Sequence, residues 1–114
     1  MFDFEKLDVY RKAKELNKEI LRFLRNNKID TYLKDQLKRA STSIVLNIAE
    51  GSGKFSKADK RNFYTTARGS TYECVSLLEL FYEDDIISKE VFDELYRKHE
   101  ELSKMLLGLI NSQR

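Results

Sequence analysis

Gln36-Leu-Lys-Arg-Ala-Ser-Thr-Ser-Ile-Val-Leu-Asn-Ile-Ala-Glu-Gly51 is the stretch whose reading decides the fold. With Leu33 ahead of it, it carries an apolar stripe, Leu33, Leu37, Ala40, Ile44 and Ile48, at the spacing of an amphipathic helix. A polar stripe, Gln36, Arg39, Ser43, Asn47 and Glu50, runs roughly a quarter turn away at about 100° per residue. A helix that needs only solubility places Lys and Glu on the side opposite its core. Amide, hydroxyl and ionic groups bordering the core instead predict a specified contact with another helix.

Three further helices are expected around this one. The first runs from about Lys6 to Asn27, with Val9, Ala13, Leu16, Ile20, Phe23 and Leu24 on one face. Phe2, Phe4 and Leu7 precede or open it and predict a hook folded over one end of the molecule. Asp30 or Thr31 caps the second helix. Gly51 is expected to close that helix in the left-handed conformation, and Ser52, Gly53, Lys54 and Phe55 form the turn. Ser56 and Asp59 give the start signal of the third helix, a variant of the capping box. Its expected core face is Phe63, Ala67, Ser70, Cys74, Leu77, Leu78 and Phe81, and it fades in the acidic run Glu83 to Asp85. Tyr64 and Tyr72 fall off that face and are expected at a subunit contact. Ser88, flanked by Ile87 and Phe92, starts a fourth helix that runs to about Ile110 through Val91, Leu95, Leu102, Met105, Leu106 and Leu109. Short links make neighbouring helices antiparallel. The fold class is therefore all-α, an antiparallel up-down-up-down four-helix bundle, expected as a single domain over residues 1–114.

Composition narrows the function. The 114 residues contain no proline, 35% charged residues and a formal net charge of +2. The charge is segregated: residues 31–72 carry a net +5 and residues 73–101 a net −7. Such segregation is an interaction property, not a fold property. One cysteine, Cys74, cannot form an internal disulfide. No apolar signal segment and no membrane-length apolar run are visible, so the expectation is a cytoplasmic protein without membrane contact.

Gln36, Arg39-Ala40, Ser43-Ile44 and Asn47-Ile48-Ala49-Glu50-Gly51, followed by Phe63, Ala67, Gly69-Ser70 and Glu73, carry a resemblance. With Phe4, Leu7, Val9 and Ala13 they make the chain resemble, over nearly its whole length, the four-helix bundle proteins encoded in intervening sequences of 23S ribosomal RNA genes. Tyr10 stands where that family often has Trp. The resemblance implies a ring of five identical subunits and no established enzymatic activity. A related branch, the accessory protein of diversity-generating retroelements, works with a reverse transcriptase and nucleic acid.

Two sets of residues are candidates for function. Gln36, Arg39, Ser43, Asn47, Glu50, Gly69 and Glu73 form an interface or polar network, with Arg39 and Glu73 paired within or between subunits. A half-buried charge without a partner costs several kcal/mol, and Gly69 in mid-helix costs about 1 kcal/mol against alanine, which predicts a close backbone approach there. The second set, Lys34, Lys38, Lys54, Lys57, Lys60, Arg61 and Arg68, is a candidate nucleic-acid surface at and near a helix N-terminus. A protein partner that never meets nucleic acid is the alternative. Enzymatic use of Glu50, Asn47 and Arg39 near the glycine turn is a third reading.

No cofactor or metal is expected. Gly51-Ser52-Gly53-Lys54 is not a phosphate loop, because Ile48 stands where a glycine is needed and Phe55 where a Ser or Thr is needed. His99, the only histidine, cannot build a zinc site with one distant cysteine; it is expected at the core boundary with one local hydrogen bond. Cys74 is expected as a small buried hydrophobe. The six tyrosines are scattered along the chain, without the basic interleaving of a stacking platform.

Overall fold

The computed structural model describes residues 1–114. A 3-10 turn at Asp3–Lys6 precedes four helices: α1 (Asp8–Asn26), α2 (Thr31–Ser52), α3 (Lys57–Glu83) and α4 (Lys89–Asn111). Consecutive helices pack side by side and α1 closes against α4, giving the up-down-up-down bundle, 44 Å long and about 22 Å across. No strand is present, and no helix is long and apolar enough to cross a membrane.

Three of the four helices, α2, α3 and α4, start at a side-chain cap; α1 follows Leu7 without one. Asp30 accepts from the Tyr32 and Leu33 amides (2.9 and 3.4 Å), Ser56 from Asp59 N (3.1 Å) and Ser88 from Val91 N (3.2 Å). Each satisfies donors that a helix N-terminus leaves open, for about 1 kcal/mol apiece. The α3 terminus is closed by Asp85, with φ of 57°, where Ile86 N reaches Phe81 O (2.8 Å) and Asp85 N reaches Tyr82 O (3.1 Å). This is the Schellman pattern, built on an aspartate where glycine is usual.

A cluster of 20 buried apolar residues fills the interior, including Leu16, Ile20, Leu37, Ile48, Leu78, Phe81, Leu102 and Leu106. Each such side chain contributes about 1.5–3 kcal/mol relative to exposure. Ile29, in the α1–α2 link, is buried as well, a plug that helical periodicity could not find. The α1–α4 seam is supplemented by ion pairs, Lys98 with Glu19 (2.7 Å) and Lys12 with Glu101 (2.6 Å). The aromatic hook forms as expected: Phe4 stacks on Phe2 (5.6 Å) and meets Tyr10 edge-on (4.8 Å), and the turn packs on α2.

Several expectations are corrected. Gly51 is not left-handed; it lies inside α2, and Gly53 caps the helix with φ of −84°. Gly51 is glycine for a different reason: a Cβ there would stand 2.7 Å from Tyr64 Cε1 and 2.9 Å from Phe63 Cβ. Tyr64 therefore belongs to the core and is buried, while Phe63 is only half-buried. Val91, expected in the core, is exposed. His99 is not at the boundary but fully buried.

Candidate functional site

The polar stripe of α2 divides in two. Gln36, Ser43 and Asn47 are half-buried along the α2–α3 seam. Ser43 Oγ lies 2.9 Å from Ser70 Oγ, and Asn47 Nδ2 donates to Ser43 O (2.8 Å) and Ser43 Oγ (3.0 Å). These are satisfied polar groups linking α2 to α3. Arg39 and Glu50 are exposed, because at 100° per residue they lie about 50° further round the helix.

Arg39 and Glu73 do not pair within the chain; neither belongs to any of its ion pairs. The Ser43–Ser70 and Gly51–Tyr64 contacts define an antiparallel register that nonetheless brings Arg39 level with Glu73. Both side chains are exposed on the outer side of α2 and α3. At Gly69 a Cβ would meet nothing within 4 Å, so no backbone of this chain approaches it. The outer side of α2 and α3 also exposes Leu46 (54%), near the level of Gly69, and Leu80 (52%), about three turns further along α3.

The basic candidates also separate. Lys34 and Lys38 lie toward the N-terminus of α2, beside Leu21, Leu24 and Arg25, roughly 24–30 Å along the helix from the Lys54 turn at about 1.5 Å per residue. The remaining five surround the N-terminal half of α3, and three of them bind main-chain carbonyls. Lys60 donates to Ser52 O at the end of α2 (2.8 Å), Arg61 to Gln113 O beyond α4, and Arg68 Nε to Ser103 O (3.3 Å). Lys60 and Arg61 thus serve the C-terminal ends of helices, where carbonyls lack helical partners, while Arg68 adds a bond to a carbonyl inside α4 across the α3–α4 seam. Lys54 sits over the Phe63 ring (4.9 Å), and Lys57 is exposed. Between Lys54 and Lys57, Phe55 is fully exposed at the tip of the turn. From the sequence alone Phe55 reads as a turn residue; the signal that sets it apart is an aromatic flanked by lysines in a turn.

The third reading finds no shared site. Glu50 lines a shallow groove with Phe2, Phe4, Ser52 and Lys54, Asn47 bonds within α2, and Arg39 faces outward from the level of Glu73. Cys74 is buried in the core, and desolvation, aided by the Glu73 charge, pushes its thiol up to about 12, so the thiolate is not populated near neutrality.

A groove of about 370 Å³ opens between α3 and α4, lined on one side by Arg68 and Tyr72 and on the other by Tyr96, His99, Glu100 and Lys104. His99 Nδ1 lies 2.7 Å from Leu95 O. A carbonyl only accepts, so Nδ1 carries the proton and Nε2 is left as an acceptor. Nε2 is buried with no partner. Desolvation holds His99 below its ordinary value of 6.5, against smaller opposing effects of the Leu95 carbonyl and Glu19, so it is neutral near pH 7.

Comparison with known proteins agrees with this architecture. A crystal structure from Bacteroides thetaiotaomicron VPI-5482, described as a protein of unknown function from the S23 ribosomal protein family, superposes with a TM-score of 0.84 at 28% identity, over 90% of this chain and 97% of that one. No curated protein matches. The family of 23S rRNA-intervening sequence proteins matches residues 5–108. A bundle whose Ser43-to-Gly51 run packs against Ser70 and Tyr64, matched along nearly its whole length, belongs to the 23S rRNA-intervening sequence protein family.

Proposed function

We propose that this chain is a non-enzymatic, cytoplasmic scaffold that assembles as a ring of five identical copies and presents its basic turn to RNA or DNA. The assembly surface is the outer side of α2 and α3. Arg39 and Glu73, level with each other yet unpaired within the chain, meet their counterparts across the subunit boundary. Gly69, with open space beside it, leaves room for the neighbour. The count of five rests on the family resemblance.

The observation that carries the nucleic-acid reading is Phe55, fully exposed between Lys54 and Lys57. An aromatic face among cations offers base stacking worth about 1–3 kcal/mol per base, together with phosphate attraction. Repetition around a ring multiplies a weak contact with a long polymer. A gel shift with single-stranded RNA and DNA tests the reading. Binding is expected at low salt, falling steeply as salt rises, and about tenfold weaker in Phe55→Ala; absence of a shift at low salt rejects it.

The alternative is a protein-interaction adaptor with no nucleic-acid contact. It is favoured by the engagement of Lys60, Arg61 and Arg68 with carbonyls of their own chain, which leaves fewer free cations than the sequence suggests. Failure of the gel shift with the ring intact selects this adaptor.

A further inference from the structure

We propose that the α3–α4 groove over His99 binds an amino-bearing nucleobase carried on a phosphorylated ribose. The geometry supplies a distinct partner for each part of such a ligand. Nε2 of His99, a buried acceptor without a partner, takes a hydrogen bond from an exocyclic amine or ring N–H. The direction is fixed, because the Leu95 carbonyl holds the proton on Nδ1. A buried acceptor left unmatched has given up its water without a replacement, so a donor-bearing ligand gains what the free protein forgoes.

Tyr72 and Tyr96 flank the groove from opposite helices. Both are exposed, and each offers an aromatic surface to a flat ring. Arg68 lies over Tyr72 (5.1 Å) and uses Nε on Ser103 O, which leaves its terminal nitrogens for a phosphate beside Lys104. Glu100 faces the same space as an acceptor for ribose hydroxyls. The volume of about 370 Å³ falls within the range of small-molecule sites. Nε2 is covered in the free protein, so a ligand reaches it only once a neighbouring side chain moves aside. This site is separate from the Phe55 turn and does not depend on it.

His99 is the only histidine, so one resonance reports the groove. With ¹⁵N-histidine-labelled protein, AMP is expected to shift the Nε2 signal saturably while Nδ1 keeps its proton, and ribose 5-phosphate is expected to leave it in place. His99→Phe, which removes the acceptor, and Lys104→Gln, at the exposed rim, each lower AMP affinity about tenfold in equilibrium dialysis; the second variant leaves the core untouched. A short oligoadenylate run in parallel distinguishes the source. Tighter binding than AMP assigns the groove to a base within a strand, and equal binding assigns it to a free nucleotide. No saturable shift with AMP or oligoadenylate overturns the proposal, as does an equal shift with ribose 5-phosphate. Gel-shift binding that survives in His99→Phe but not in Phe55→Ala separates this site from the turn.

Discussion

The two seams of α3 differ in how they handle polar groups. Toward α2, small residues let the helices approach closely: Gly51 accepts Tyr64 and Phe63 without room for a Cβ, and Ser43, Ser70 and Asn47 satisfy one another. Toward α4, the helices are held by arginines reaching carbonyls, at Arg61–Gln113 and Arg68–Ser103. There the packing leaves a groove with an unmatched histidine nitrogen at its base. A polar group matched inside the chain fixes register. One left unmatched, like His99 Nε2, marks a place where the molecule is incomplete by itself.

Gly51→Ala should break the tight seam most severely. Neither Phe63 Cβ nor the buried Tyr64 ring can retreat easily, so a loss of about 1–3 kcal/mol is expected, read as a melting point lower by several degrees. Ser43→Ala removes the hydroxyl bond to Ser70 and one acceptor of Asn47, and should cost about 1 kcal/mol in urea denaturation with an unchanged m-value. The same substitution at Ser103, whose carbonyl and not its hydroxyl serves Arg68, should leave stability nearly unchanged. If the two serines behave alike, the contrast between the seams is wrong.

Near neutral pH the smallest effect comes from His99. Burial lowers its proton affinity in the folded state, so the unfolded chain binds that proton more readily. Stability is therefore intact above the ordinary histidine value of 6.5 and is lost as the pH falls from there toward the lower folded-state value. His99→Phe should remove this component of the acid loss and leave the carboxylate contributions from pairs such as Lys12–Glu101 at lower pH. Equal slopes for both proteins between pH 7 and 5 contradict the buried neutral state.

The bundle was legible because its signals are local. Ser56, Ser88 and Asp30 cap their helices at sequence-marked positions, and the Leu33-to-Ile48 stripe is apolar at helical spacing. Gly51 is ambiguous in the sequence because a glycine near a helix end has two physical uses, a left-handed φ or a close approach. Only the position of Tyr64 on another helix decides between them. The same limit hid the groove. Tyr72 and Tyr96 are 24 residues apart and gain meaning only when α3 and α4 are laid side by side. The Arg39 and Glu73 levels were readable from the sequence pattern. Their failure to pair within the chain was not, because register sets height along the helices and leaves open which way a long side chain leans.

Reversal of that pair is the most direct test of the assembly claim. Native mass spectrometry of the purified protein should give a particle five times the 13.5 kDa chain mass. Arg39→Glu should break it into smaller species that remain helical, and adding Glu73→Arg to the same chain should restore the ring. A monomeric wild type, or an Arg39→Glu particle of unchanged mass, contradicts the account.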